Sequence, residues 1–481
     1  MAGIALALVA VTLVSACAGQ PIPGRARPSA DVSPADVAGL PVTRGPSGLR
    51  PGVPRAKLAV QGYAGTQVDK LAVDAMSDIN TFWSQALPKD FGKRFKQVRK
   101  VKSLNSANGE SCGQTGAAAY YCAADDSVSW DRGTLLPALD KMFGSMAIVT
   151  VLADEMGRVV QTRLGNVNRA TPAIVMQQQA DCYSGAVIRW VAEGKAKHFR
   201  VSTGDGLNQV LATLMFVRDQ AGSPAADPDV YGSSFDRITA FQFGFTDGPV
   251  RCSEIDETEV RQRVTELGFT QAAEASANVP VDDSALALLE QSLNATFKQS
   301  AAAPPQIVDN AGICADGTGT APTSFCPQDN TIAVDETALN ELAAAPTQPR
   351  AATTTPATAT AAPTGTGLGD FAAFAEVASR YALGVQRALG MPLDDKNAGL
   401  RTACLTGAWA GVIRHHTSTD PTAQLLLGPA DLDEAVAELL SPTSMIAADV
   451  NGERVPAGFA RVSSFQDGFL QGSTVCTSQF S

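Results

Sequence analysis

The spacing of the cysteines is the feature that most constrains the fold of this chain. Besides Cys17 there are eight cysteines: the first four are separated by 10, 60 and 70 positions and the last four by 12, 78 and 72. One pattern therefore occurs twice, which indicates two tandem copies of one domain. The eight residues are Cys112, Cys122, Cys182, Cys252, Cys314, Cys326, Cys404 and Cys476.

Sequence blocks around the cysteines recur in the same order. The matched pairs are 122–131 with 326–335, 160–165 with 385–390, and 236–245 with 460–469, at offsets of 204, 225 and 224 positions. An Ala/Pro/Thr-rich insertion at 343–366, whose low-complexity sequence cannot bury a core, explains the change in offset. We therefore expect copy one over 66–253, a connector over 254–280 and copy two over 281–480, in keeping with a length of 481 residues.

The simplest disulfide pairing joins neighbouring cysteines within each copy. It would link Cys112 to Cys122, Cys182 to Cys252, Cys314 to Cys326, and Cys404 to Cys476. Four cysteines allow three connectivities per copy, so the repeat supports this pairing without proving it. No Cys-x-x-Cys is present, which favours a structural role over redox chemistry.

The N-terminus predicts export. Residues 2–16 form an apolar stretch of 15 residues, shorter than the ~20 that span a bilayer, and it ends in Val-Ser-Ala-Cys17. This tetrapeptide resembles a lipobox, which implies a signal peptide over 1–17, lipidation of Cys17 and a place on the extracytoplasmic face of the cell membrane, in the envelope. The Pro/Arg-rich residues 18–65 are predicted to be a flexible tether. The lack of a basic n-region leaves an uncleaved anchor, or a different start of the chain, open.

The net charge of −11 disfavours nucleic-acid binding, because the chain has no general cationic field to displace counterions from phosphates. A basic run at 89–102 is the local exception, and such runs are more often a solvated surface. The expected partners are the membrane, through the lipid anchor, and an envelope protein or peptide.

The hydrophobic pattern predicts a mainly helical α+β fold. Helical periodicity runs over 68–86, 135–164, 172–192 and 235–245. Short strands are indicated near 120–122 and 127–130, on either side of an Asp-Asp turn.

Four segments of copy one together resemble the neutral zinc metallopeptidases of bacteria, with mycobacterial-type envelope lipoproteins the nearest kind. These segments are 121–126, 147–161, 179–185 and 231–245. Copy two resembles the family more faintly. The resemblance implies two tandem zincin-like domains stapled by disulfides.

The family carries a helix reading H-E-x-G-H-H-x-Q, in which two histidines four residues apart hold Zn²⁺ and the glutamate activates a metal-bound water. The matching positions here are Asp154 for the first histidine, Glu155 for the general base and Arg158 for the second histidine. The resemblance places a third ligand at Gln177 and a further histidine at Tyr231.

These substitutions argue against zinc. Arginine stays protonated and has no lone pair to offer, so Arg158 cannot ligate a cation. The copy-two equivalents are Ser379, Arg380, Leu383 and Gly399, so the general base is lost there as well. The chain has only three histidines, and none lies in either motif helix; they are His198, His415 and His416.

Two interpretations of the copy-one carboxylates remain. Asp154, Glu155 and Asp181 could bind a hard cation such as Ca²⁺ or Mg²⁺. The favoured alternative is an internal ion pair with Arg158, since spacings of four and three place these charges on one helix face. The adjacent histidines 415–416 point to different helix faces and are expected at the surface.

The sequence therefore favours a catalytically inactive binding or scaffold lipoprotein, with Glu155 a vestigial general base, no metal at Asp154, Arg158 and Gln177, and no cofactor. The alternative is an active metal-dependent endopeptidase that uses Glu155 with non-standard ligands, and only that alternative requires zinc. Regulation of an active paralogue and glycosylation of 343–366 are left open. We expect the two copies to pack as an intramolecular pseudo-dimer, because duplicated domains commonly bury matching faces.

Overall fold

A computed structural model of the chain describes residues 32–105, 110–112, 114–115, 119–168, 170–216, 232–267, 279–298, 303–345, 367–414 and 425–480. Helices dominate these residues and the sheets are small, which confirms the mainly helical α+β class. The predicted lipidation site Cys17 and the signal segment lie outside the described residues. None of the helices in the described part combines the length and apolarity needed to cross a bilayer.

The first half contains the following elements in chain order: β1 (Asp36–Val37), β2 (Leu40–Pro41), β3 (Gly48–Leu49), α1 (Gln67–Phe91), β4 (Lys100–Leu104), β5 (Glu110–Ser111), β6 (Gln114–Thr115), β7 (Ala119–Cys122), β8 (Ser127–Asp131), α2 (Leu135–Phe143), α3 (Ser145–Leu164), α4 (Ala173–Ala192), β9 (Phe199–Arg200), α5 (Asp205–Phe216), α6 (Ser234–Asp247), α7 (Pro249–Glu254) and α8 (Glu257–Leu267).

The second half contains α9 (Asp283–Thr296), β10 (Gln306–Asp309), β11 (Thr323–Cys326), β12 (Thr331–Val334), α10 (Glu336–Ala343), α11 (Asp370–Ala388), α12 (Ala398–Ile413), α13 (Pro429–Leu440), α14 (Gly458–Gln471) and α15 (Ser473–Gln479). From α9 onward these elements follow the same order as those from α1 to α7, if the small strands β5, β6 and β9 are set aside.

The two halves also share one sheet topology. In the first, β8 is central, with β4 parallel to it and β7 antiparallel. In the second, β12 is central, with β10 parallel and β11 antiparallel. The turn before each central strand places Asp126 and Asn330 at φ values of 54° and 53°. Asp and Asn tolerate this left-handed backbone better than other non-glycine residues, which explains why they occupy the position.

Close helix crossings form the core of each half and depend on glycine. A Cβ on Gly244 of α6 would lie 1.6 Å from the carbonyl oxygen of Cys182 on α4, and one on Gly468 of α14 would lie 1.8 Å from that of Cys404 on α12. Only glycine lets the backbones approach this closely. The pairs α4 with α6 and α12 with α14 therefore pack as backbone-to-backbone contacts.

All four predicted disulfides are present. Cys112–Cys122 and Cys314–Cys326 lie at the small sheets, while Cys182–Cys252 and Cys404–Cys476 tie α4 to α7 and α12 to α15. Their Cα–Cα distances run from 5.3 to 5.8 Å, within the ordinary range for disulfides.

Two boundaries differ from the sequence prediction. The helix predicted over 135–164 is two helices, α2 and α3, because Gly144 between them adopts a φ of 74° that a continuous helix does not accept. The tether predicted to end at residue 65 ends earlier: β3 pairs with β9, and Arg55 forms a 2.5 Å ion pair with Asp74 of α1. The sparse apolar residues of this stretch pack against the hydrophobic core. Local periodicity does not reveal such a contact.

The predicted connector contains structure as well. Its first part forms α8, where Glu259 accepts a hydrogen bond of 2.6 Å from Arg251 and Arg263 lies within 3.3 Å of Glu259. Arg263 also donates to Gln178 of α4. This part of the connector therefore belongs to the first half.

The two halves contact each other through α5 and α6 on one side and α13 and α14 on the other. Phe235 packs on Phe469 with ring centroids 5.6 Å apart, and Phe245 packs on Phe459 at 5.3 Å. Phe235 and Phe245 of α6 correspond, 224 positions later, to Phe459 and Phe469 of α14. Exchanging the two halves therefore turns the first contact into the second. The contact has approximate two-fold symmetry.

Candidate functional site

Helices α3 and α4 bring the predicted motif residues together. Gly157 of α3 allows the approach, since a Cβ there would lie 3.0 Å from the Cα of Ala180 on α4. Asp154, Glu155 and Arg158 then share one face of α3 opposite Gln177. The four matched positions of the metallopeptidase motif thus meet in space, although their side chains differ from those of the family.

Arg158 lies at the centre of this cluster. Its Nε atom is 3.8 Å from Oδ2 of Asp154 and 3.6 Å from Oε2 of Glu155. The spacings of four and three residues along α3 produce both contacts, as expected for neighbours on a helix face. One guanidinium therefore compensates two carboxylates at the position where the family has its second histidine.

Gln177 bridges the same charges. Its Oε1 accepts a hydrogen bond from Nη2 of Arg158, and its Nε2 donates to Oδ1 of Asp154 at 3.0 Å. The amide oxygen that would be needed as a metal ligand is engaged by a cation of the protein itself. The position predicted for the third ligand thus takes part in a closed hydrogen-bond network.

Glu155, at the general-base position, is buried and anchored from a neighbouring strand. Its Oε2 accepts a 2.8 Å hydrogen bond from the backbone N–H of Tyr121 on β7. Burial raises the pKa of Glu155, while the Arg158 guanidinium and the Tyr121 N–H oppose that rise. The sequence did not reveal the Tyr121 contact, because a backbone donor carries no residue signature.

Asp181 is held by a separate cation. Arg237 of α6 donates to both of its carboxylate oxygens, at 2.9 and 2.7 Å, and both side chains are buried. Such a bidentate pair satisfies the carboxylate fully. Burial raises the pKa of Asp154 well above its usual range, and the negative charge of Asp181 adds to the rise, while Arg158 opposes it. Arg237 was the residue that sequence analysis overlooked, although its block recurs at Arg461.

The side chains at the motif positions of copy one do not fit a zinc site. Arg158 can only donate, the oxygen of Gln177 is already bonded to it, and Asp181 is neutralised by Arg237. The hypothesis of a hard cation held by Asp154, Glu155 and Asp181 meets the same obstacle, because each carboxylate already has a partner within the protein.

Within the described part of the chain, one group of acidic side chains has its oxygens within 4.8 Å of one another: Asp370, Asp431 and Glu434. This group lies in copy two, away from the motif positions. Backbone N–H groups of Val279, Phe371 and Gly428 bond its oxygens. We assign no metal to it.

Copy two has no metal ligands at the equivalent positions. Arg380 is fully buried and donates to the carbonyl oxygens of Asp449 at 3.0 Å, Ala448 at 3.2 Å and Met445. Burial lowers the pKa of Arg380 to about 10, and the nearby Glu376 and Asp449 oppose this change. Arg380 thus stabilises a loop that follows α13, where the family would have its general base.

The remaining predicted residues lie elsewhere. His198 is buried and its Nδ1 contacts Oδ1 of Asp78 on α1 at 2.7 Å, so it contributes no ligand to the motif. Tyr231, His415 and His416 lie outside the described residues. The acidic residues of the predicted Asp-Asp turn pair with partly buried cations: Asp125 with Lys102 at 2.6 Å and Asp126 with Arg163 at 2.7 Å. Both residues lie in the turn at 123–126 between β7 and β8, which confirms the predicted turn.

Comparison with known proteins identifies one family. Residues 40–255 match the family model described as "Putative neutral zinc metallopeptidase". The match begins within the early strands and ends with α7, so it covers the first half of the chain. No curated protein and no solved structure matches the chain. The resemblance inferred from the motif blocks is therefore confirmed for copy one.

Proposed function

We propose that this chain, whose residues 40–255 belong to the neutral zinc metallopeptidase family, is a non-catalytic envelope lipoprotein that uses a metallopeptidase-like fold to bind a peptide or a protein partner. The observation that carries the proposal is the contact of Arg158 with both Asp154 and Glu155. Function belongs to the site and not to the fold, so the family match alone does not imply hydrolysis.

The physical argument rests on the guanidinium. It stays protonated throughout the accessible pH range and offers no lone pair, so a divalent cation placed beside it would be repelled. Catalysis by this family's chemistry needs a metal to lower the pKa of a water molecule. Without the metal, Glu155 has no activated water to deprotonate.

Attachment to the envelope is part of the proposal. The apolar run that ends at Cys17 supports lipidation, and four disulfides support an oxidising compartment. A chain tethered at the membrane and devoid of a catalytic centre suits a binding or scaffold role. An envelope protein or an extended peptide is the partner we propose.

Metal analysis tests the proposal directly. The purified chain, stripped with EDTA and then reconstituted with Zn²⁺, should retain no stoichiometric zinc. The triple variant Asp154→His, Arg158→His, Gln177→Glu restores the family ligand set and should retain about one zinc per chain. Arg158→Gln alone, which removes the charge without adding a strong ligand, is the matched control and should retain none. One tightly held zinc in the unaltered chain would contradict the proposal.

The alternative is an active metal-dependent endopeptidase that relies on Glu155. The retained carboxylate and its burial-raised pKa favour it, because a general base works best with a pKa near the operating pH. A proteolytic activity of the purified chain that disappears in Glu155→Gln, and persists in the surface variant Glu341→Gln, would establish this alternative.

A further inference from the structure

Helices α11 and α13 of copy two face each other with acidic side chains on both. Asp370 and Glu376 lie on α11, and Asp431, Glu434 and Glu438 lie on α13. Oxygens of Asp370, Asp431 and Glu434 come within 4.8 Å of one another. Three ionised carboxylates at such a distance would repel strongly in a half-buried setting.

Further along the same helix pair lie Glu376 and Glu438. The Oε1 atom of Glu376 accepts a 2.7 Å hydrogen bond from the backbone N–H of Met445, while its buried Oε2 atom has no hydrogen-bond donor among the described residues. The side chains of both glutamates are almost completely buried, with 1% and 3% of the residue surface exposed. Burial raises the pKa of both side chains, and the nearby charge of Glu376 raises the pKa of Glu438 further, so this pair of carboxyl groups favours binding a proton.

The surrounding charges compensate the pair incompletely. Arg380 of α11 and Arg461 of α14 lie close enough to influence it, but they donate to backbone carbonyls: Arg380 to Asp449 and Arg461 to Ser441. Arg454, Asp449 and Asp205 of α5 face these arginines in turn. Beside Glu434 the additional charged neighbour is Asp433, which is also acidic.

Helix α13 also connects copy two to copy one. It packs against α5 and α6, and the backbone N–H of Ser234 at the start of α6 donates to Oδ1 of Asp433 at 2.8 Å. A change in how α13 packs on α11 would therefore also change the contact between the two halves.

We propose that protons bound by these five carboxyl groups hold α13 against α11, so that their loss at rising pH loosens α13 and the contact between the two halves. The inference concerns copy two and does not depend on whether copy one is catalytic. We therefore expect α13 to pack more tightly on α11, and the two halves to contact each other more tightly, in a mildly acidic environment than in an alkaline one.

The direction of the pH effect follows from linkage. Burial and the neighbouring carboxylates raise the pKa of Asp431 to about 7 and that of Glu434 to about 9. Groups whose folded pKa is raised bind protons more tightly in the folded state, so stability is greatest at low pH and declines as pH rises from about 4 towards these values.

Thermal melting of the full chain between pH 5 and pH 9 tests the proposal. The single variants Glu434→Gln and Glu438→Gln imitate the protonated side chain at every pH and keep its shape. Each should melt at least ~3 °C above the unaltered chain at pH 9 and within about 1 °C of it at pH 5. The exposed Glu341→Gln is the matched control and should follow the unaltered chain throughout. Gln variants that melt lower at both pH values, as after loss of an ion pair, would overturn the proposal.

Two further measurements keep the test independent of how the variants fold. Infrared spectra of the unaltered chain at pH 7 should contain the absorption of buried protonated carboxyls, and the double variant Glu376→Gln, Glu438→Gln and the single variant Glu434→Gln should each weaken it. Absence of that band in the unaltered chain would contradict the presence of bound protons. If Ca²⁺ added at pH 9 stabilises the unaltered chain but not Glu434→Gln, a cation and not a proton joins the helices, and the proposal is wrong.

Discussion

Gln242 of α6 donates a 2.9 Å hydrogen bond to the hydroxyl of Ser463 on α14, across the contact between the two halves. The same bond recurs with the halves exchanged: Gln466 of α14 donates to the hydroxyl of Thr239 on α6, also at 2.9 Å. Each glutamine and each hydroxyl is related to its counterpart by 224 positions. A face that pairs with its own repeat in this way has the self-complementarity of a two-fold dimer interface.

This symmetry predicts equal effects from equivalent changes. Gln242→Ala and Gln466→Ala should each lower the free energy of unfolding by about 1 kcal/mol, because each leaves a buried hydroxyl without its donor. The two values should agree within ~0.5 kcal/mol, as measured by urea unfolding of the full chain. Gln328→Ala, at an exposed position, should change it by less than ~0.5 kcal/mol. Unequal losses from the two glutamines would show that the two symmetric hydrogen bonds contribute different free energies of stabilisation.

Removing Arg158 should destabilise the first half. Arg158→Ala leaves Asp154 and Glu155 buried without their cation, and we expect a loss of about 2–3 kcal/mol in the free energy of unfolding near pH 8. At pH 5 the loss should be smaller, since the raised pKa values of both carboxyls allow them to be protonated there. Chemical unfolding at the two pH values measures this difference.

The matched control for Arg158 is Arg261→Ala, whose partner Glu257 is exposed on α8. An exposed pair at helical spacing contributes little, so its removal should change stability by less than ~0.5 kcal/mol at either pH. Equal losses from Arg158→Ala at pH 5 and pH 8 would argue that its role is packing and not charge compensation.

The close helix crossings predict intolerance to a single methyl group. Gly244→Ala would place a Cβ 1.6 Å from the carbonyl oxygen of Cys182, which α4 and α6 can accept only by moving apart. We expect a loss of more than ~3 kcal/mol or failure to fold, measured by melting and by yield of folded protein. Gly390→Ala, at an open position with a φ of 71°, should cost only about 1 kcal/mol. Normal stability of Gly244→Ala would contradict the backbone contact.

The disulfides should contribute according to the length of chain they close. Replacing Cys182 and Cys252 by alanine opens a loop of 70 positions, for which the chain-entropy estimate is ~4 kcal/mol. The same change at Cys112 and Cys122 opens only 10 positions and should cost ~3 kcal/mol. Denaturant unfolding of each double variant measures the two losses, and a larger loss from the shorter loop would contradict this ordering.

Much of the architecture could be predicted from the sequence, because it depends on local pattern. Cysteine spacing led to the disulfide pairing, and helical periodicity located α1, α4 and α6. The motif blocks led to the family. The break between α2 and α3 was missed because apolar periodicity continues across Gly144, whose backbone angle is not a property of the pattern.

By itself the sequence determined which side chains stand at the motif positions: an arginine, which has no lone pair in any fold, lies at position 158, and the three histidines of the chain lie outside both motif helices. Only the tertiary structure decided which partners those side chains contact. The contact of Gln177 with Arg158, the backbone donor from Tyr121 and the pair of Asp181 with Arg237 join residues that are distant along the chain. The side chains available can be listed from sequence, but their partners depend on how helices and strands pack in three dimensions.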